Sequence, residues 1–170
     1  MSDTVIVSQR IEGIAEGIKD LLEDNLSDYI TAENNHWNDT ITIDTPENDN
    51  IFIDDPNGFT LLDIGQFPCV FIFPSDSKRS DNFTEAYQLE ITGFIREDDK
   101  TSIVRKNLRF CEAVKATLQS DLTCGGIVGG GIIGKVAYSQ VMASPEEFFT
   151  AFQIEIAHIV TGKQIGRAHV

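Results

Sequence analysis

FPCVFIFPSDSKRSDNFTEAYQLEITGFIR, residues 67–96, decides how the chain folds. Its first eight residues are an apolar run bounded by Pro68 and Pro74, the pattern of a short strand buried on both faces. Further on, Tyr87, Leu89, Ile91, Gly93 and Ile95 fall on one face. Gln88, Glu90, Thr92 and Arg96 fall on the other, with Phe94 the single apolar residue among them. That period of two marks a half-buried strand. Between the runs, residues 75–83 are polar and carry adjacent cations at Lys78 and Arg79. The two runs are expected to form a long β-hairpin with a protruding tip.

A helix is expected on either side of this hairpin. Ser2 or Thr4 can cap the first, which runs to about Tyr29 on the three- and four-residue steps of Ile11, Ile14, Ile18, Leu21, Leu22 and Leu26. Gly13 and Gly17 lie close to that stripe, either as points of close backbone packing or as tolerated surface glycines. After the hairpin, Asp98, Asp99, Lys100 and Thr101 bring capping groups and negative charge to the start of a second helix. Its apolar positions are Ile103, Val104, Leu108, Cys111, Val114 and Leu118, with Lys106, Arg109 and Lys115 outward and an end near Gln119. A glycine-rich turn follows at 125–134, then a strand at 135–142, a turn at 144–147 and a closing strand at 148–160. In that last strand Phe148, Phe152, Ile154 and Ile156 share one face, and Phe149, Ala151, Gln153 and Glu155 the other. The expected architecture is α+β. It is a two-layer sandwich with a mixed or antiparallel sheet of about four to five strands and two helices packed on one face. One domain is expected over 1–162, with a patternless, frayed tail at 163–170.

The chain has 170 residues and a formal net charge of -14, from 27 acidic against 13 basic side chains. Between Asp20 and Ser77 there is no Lys or Arg. Within that region, 34–65 reads as an acidic excursion, with a small hairpin over 40–44 and 50–53 and a second turn at 54–59. It looks too polar to make a core and is expected to order only against a neighbour. Such a molecule does not grip a phosphate backbone without a basic patch, because that binding depends on cations displacing counterions. The charge reads either as a solubility device or as the lining of a pore through which DNA slides.

Catalytic signatures fail one by one. Gly129, Gly134 and Lys135 match the start of a phosphate-binding loop, but Val136 stands where a Ser or Thr would coordinate magnesium. Asp55, Asn57 and Gly58 match part of a calcium loop whose twelfth position is Ile64 instead of a bidentate Glu. His36, His158 and His169 are scattered, and His158 reads as a structural residue in a strand. Cys69, Cys111 and Cys124 have no Cys-x-x-Cys spacing, and Cys69 and Cys111 read as small buried thiols, consistent with a reducing compartment. Trp37 in the polar stretch is either a contact site or part of a satellite core. No catalytic, cofactor or metal residue is expected. Neither a secretory signal nor a membrane span is expected, and the protein is expected to be soluble and made in a cytoplasm.

Taken together, the amphipathic first helix, Phe67 to Phe73 leading to the Tyr87–Arg96 strand, the helix holding Arg105 to Leu118, the glycine-rich turn and the aromatic closing strand resemble a known group. They are similar to the tail-terminator (tail-completion) proteins of long-tailed bacteriophages, the lambda type, over residues 6–162. The resemblance implies a virion protein at the tail–neck junction, a subunit of a hexameric ring. Such a ring caps the tail tube, stops its polymerisation and meets a neck or head-completion protein, while DNA passes through the lumen without specific binding. Lys78, Arg79, Trp37 and Phe149 are the residues from which subunit or partner contacts are expected. The alternatives are a head-completion or neck connector protein and, from another class, a small cation-binding or enzymatic module.

Overall fold

The computed structural model describes residues 11–58, 67–81, 84–123 and 130–160. The expected first-helix caps, the segment 124–129 and the tail 163–170 lie outside them. Two helices, α1 (Ile11–His36) and α2 (Lys100–Ser120), pack on each other and on one face of a six-stranded mixed sheet, the expected α+β two-layer sandwich. The strands are β1 (Ile51–Phe52), β2 (Cys69–Asp81), β3 (Thr84–Glu97), β4 (Gly131–Tyr138), β5 (Met142–Ala143) and β6 (Phe148–Val160). Their order is β1-β2-β3-β6-β4, with β5 also on β6. Four long strands make up most of the sheet, and the two-residue pieces β1 and β5 bring it to six, one more than the upper expectation.

α1 forms because Ile14, Ile18, Leu22, Leu26 and Ile30 recur every fourth position and all reach the core. It runs to His36, beyond the expected end near Tyr29, because Ile30 extends the buried stripe by one more turn. Gly17 is buried on that stripe and is not a surface glycine. α2 starts where its caps place it: the Asp99 carboxylate accepts from the Thr101 backbone N–H at 2.8 Å. Its buried face is Ile103, Asn107, Phe110, Cys111, Val114, Thr117 and Leu118. Val104 and Leu108 are exposed, contrary to the sequence expectation, and Arg109 is buried where an outward cation was expected. The helix is thus rotated so that Phe110 meets Phe152 edge-on, with ring centroids 5.2 Å apart.

The sheet is built on the central β3–β6 pair, which aligns Glu85 with Val160 at one end and Glu97 with Phe148 at the other. The residues expected to form a polar tip are strand as far as Asp81, and β6 accompanies β3 down to Glu85. The hairpin is therefore embedded in the sheet over most of its length, because ladder hydrogen bonds satisfy the backbone whatever the side chains are. β6, the last of the described strands in sequence, inserts between β3 and β4, which run parallel to each other. Gly131 to Gly134 are extended in β4 where a glycine-rich turn was expected, and the strand ends at Tyr138 instead of at 142.

The acidic excursion is not an ordered hairpin. Residues 41–47 form no strand, and Ile51 and Phe52 join β2 in parallel opposite Val70 and Phe71. Its described residues, 34–58, pack on this chain's own core. Ile43 and Ile51 enter the main core. The Asn34 side-chain amide donates to the Ile43 carbonyl at 2.9 Å and accepts from its N–H at 2.8 Å.

Candidate functional site

Alternation along the strands gives the sheet two unlike faces. Leu89, Ile91, Ile95, Phe152, Ile154 and Ile156 point into the helices and are buried. Among the described residues, the opposite face carries no helix. At one end of it Phe52, Phe67, Phe71, Phe94 and Cys69 form a second small cluster, joined by Phe149, whose ring lies 5.8 Å from that of Phe67. Arg96 lies over Phe67 at 4.8 Å and approaches Glu147 at 3.7 Å.

Next to this cluster the open face holds a groove of about 320 Å³. Its floor is Phe73, Phe94, Thr92, Glu90, Ala151 and Gln153; the Asp55–Asn57 turn and residues 137–139 form its sides. Among the described residues, no Lys or Arg lines it. Gln153 Nε2 donates to Glu90 Oε2 at 2.8 Å. Register places Thr92 opposite Gln153 and Glu90 opposite Glu155; the Glu155 carboxylate lies toward Gly134 of β4, outside the groove lining. Thr92 is 7% exposed, and its hydroxyl has no hydrogen-bond partner. Beside the groove runs β4, whose outer edge pairs with no strand among the described residues. Ile132, Tyr138, Val141 and Met142 on or after this edge are exposed large apolar side chains.

On the helix side, Arg109 is 4% exposed and closes the excursion onto α2. Its guanidinium donates to both Asp39 oxygens, at 2.9 and 2.6 Å, and to the Ile41 carbonyl at 2.8 Å. It also lies 4.7 Å from the Trp37 ring centre. The hydrogen bonds from Arg109 hold the Asp39 carboxyl below its ordinary value of 3.8. Trp37 remains 45% exposed and donates to Glu33 at 3.0 Å.

The four residues singled out from the sequence do not converge. Lys78 and Arg79 are in β2 opposite Ala86 and Glu85, at one end of the ladder. Phe149, opposite Arg96, is at the other end, roughly 35 Å away at ~3.3 Å per residue. Phe149 is 5% exposed within the aromatic cluster, and Trp37 belongs to the helix layer. What sequence reasoning missed is the groove. The alternation of Gln88, Glu90 and Thr92 was visible, but the β6 residues that meet them were not assigned as neighbours.

Cys69 and Cys111 are buried free thiols, pushed up by burial to about 12 and about 11. His158 is fully buried beside Gly131, and burial lowers its pKa from 6.5. Among the described residues, no group of three or more His, Cys, Asp or Glu could hold a metal ion. No described helix is long and apolar enough to cross a membrane. Comparison with protein-family models and with curated proteins finds no match.

Proposed function

We propose that the protein is a ring-forming structural subunit of a virion, a tail terminator that caps the tail tube and meets the neck. The observation that carries this reading is the asymmetry of the sandwich. One face is sealed by helices, while the other face and the β4 edge offer acidic and apolar contact surface. A subunit that joins copies of itself head to tail needs unlike surfaces on its two sides, and a ring closes when their rotation does. The cation-poor open face and the excursion, with Asp44, Glu47, Asp49, Asp54 and Asp55, suit a conduit that does not hold phosphates. Lys78 and Arg79 at the end of the hairpin pair with an acidic surface of a neighbour or of the tube.

The test is arrest of tube growth. Tail-tube subunits from the same virus are polymerised and followed by light scattering and electron microscopy. The protein should stop elongation at an amount small relative to tube protein and appear at one tube end. Charge reversal at Lys78 and Arg79 should weaken that capping. Growth to full length with excess protein present would reject the reading.

A further inference from the structure

Exposed apolar side chains gather along one flank of the sandwich. Val104 and Leu108, one helical turn apart, are exposed on α2, and Tyr138, Val141 and Met142 are exposed on and after β4. Two contacts join these elements into one surface. The Tyr138 hydroxyl reaches the Cys111 thiol, three positions on from Leu108. Asn107 donates to the Ala151 carbonyl at 3.0 Å, and the same carbonyl accepts from the Ser139 N–H at 2.9 Å. Apolar groups left open together in this way mark a contact surface.

The two flanks of the molecule differ in charge. α1 packs on β1 and β2, and α2 packs on β3 and β6. With the strand order β1-β2-β3-β6-β4, α1 and the excursion lie on one side, and α2, β4 and β5 on the other. Residues 11–58 hold thirteen Asp and Glu against Lys19 alone, whereas residues 100–143 hold six Lys and Arg against Glu112 and Asp121. Arg109 and Lys106 are spent on Asp39 and Glu97, but Lys100, Arg105 and Lys135 are exposed. The apolar flank is therefore the cationic one, in a chain of net charge -14. On α1, Glu12, Glu16, Asp20, Asp24 and Asp28 are exposed at every fourth position. They stand two residues, about 200°, from the buried row Ile14 to Ile30, so they face away from the sheet and α2. Like charges at that spacing weaken a helix, a penalty that cations on a neighbour relieve.

We propose that the α2–β4 flank is covered by the α1 flank of a second copy of this chain, set head to tail. This placement rests on the ring reading and names the two flanks that meet in it. The exposed cations face the α1 row, and Val104, Leu108 and Met142 lose water in the contact. Because the flanks lie on opposite sides of one subunit, every copy offers both and the contact repeats until it closes. A two-fold contact of the apolar flank with itself would set cations against cations, which complementary flanks avoid.

The test is sedimentation velocity of the full chain, alone and with tail-tube protein, beside two variants. Leu108→Asp blocks the apolar flank, and Asp20→Lys with Asp24→Lys blocks the α1 row. All three positions are exposed, thermal melts check folding, and Val104→Asp is a second flank variant. Each variant should need roughly tenfold more protein to assemble, as loss of a central apolar contact or of charge complementarity would require. At a concentration where each variant alone is monomeric, an equal mixture should form a species of twice the chain mass and none larger. One intact contact then remains, between the α1 flank of the Leu108→Asp chain and the apolar flank of the other. Assembly of both variants as readily as the unaltered chain, or a mixture that stays monomeric, would overturn the flank assignment and leave the ring standing. An unaltered chain that stays monomeric alone and with tube protein would reject the ring itself, and the assignment with it.

Discussion

Replacing Arg109 with Met should release the acidic excursion while leaving the sandwich folded. The guanidinium makes two short bonds to Asp39 and one to the Ile41 carbonyl, and covers the Trp37 ring. Deleting one partner of a fully buried ion pair costs about 3–5 kcal/mol, largely because the remaining charge is stranded without water. Here the Asp39 side chain is 30% exposed, so water reaches it once the arginine is gone. That removes much of the stranded-charge cost and leaves roughly 2 kcal/mol for the lost hydrogen bonds and stacking. For a domain of this size the melting temperature should fall by about 4–8 °C. Amide hydrogen exchange should accelerate over residues 37–47 and remain slow in β3 and β6. Arg109→Lys keeps the charge but loses the fork, and should recover less than half of the difference. The acid limb follows with a definite sign. The folded pKa of Asp39 lies below its unfolded value of 3.8, so its contribution is present above that pH and lost as the pH falls through the folded value. Arg109→Met should remove that part of the acid transition. A variant that melts with wild-type protein and shows unchanged exchange would refute the clasp.

Three further outcomes are expected. A methyl group at Gly93 would sit against the Phe152 ring and 3.0 Å from Phe110 Cε2, so Gly93→Ala should cost about 1–3 kcal/mol in urea unfolding. Phe152→Leu in that background should return part of the loss, and strictly additive losses would contradict the packing account. His158 has a folded pKa below 6.5, so the unfolded chain takes up its proton first. Its contribution is present above pH 6.5 and declines as the pH falls toward the folded value; His158→Gln should flatten that slope, and an unaltered slope would remove His158 as its source. Ile132 is 65% exposed on the β4 edge, so Ile132→Lys should change unfolding free energy by less than about 0.5 kcal/mol while reducing self-association in sedimentation.

Much of the fold was legible where one local signal agreed with one element. The alternation from Tyr87 to Ile95 and the Asp99 cap placed β3 and α2 because propensity, pattern and burial agreed there. The departures are places where a distant partner decided the outcome. Arg109 looks like a surface cation in its own helix; Asp39, 70 positions earlier, makes its burial tolerable. Ile51 and Phe52 are too short a run to announce a strand, and only the free edge of β2 recruits them. Residues 75–81 are polar, yet pairing with β3 keeps them extended. The groove was the least legible feature because it depends on β6 inserting between β3 and β4. Only that placement sets Glu90 against Glu155 and Thr92 against Gln153.

Sedimentation velocity of the full chain, alone and with tail-tube protein, tests the assembly claim most directly. The account predicts a closed species whose mass is a fixed multiple of the 18.8 kDa chain, present alone or on the end of the tube. A monomer at every concentration, unchanged by tube protein, would contradict it.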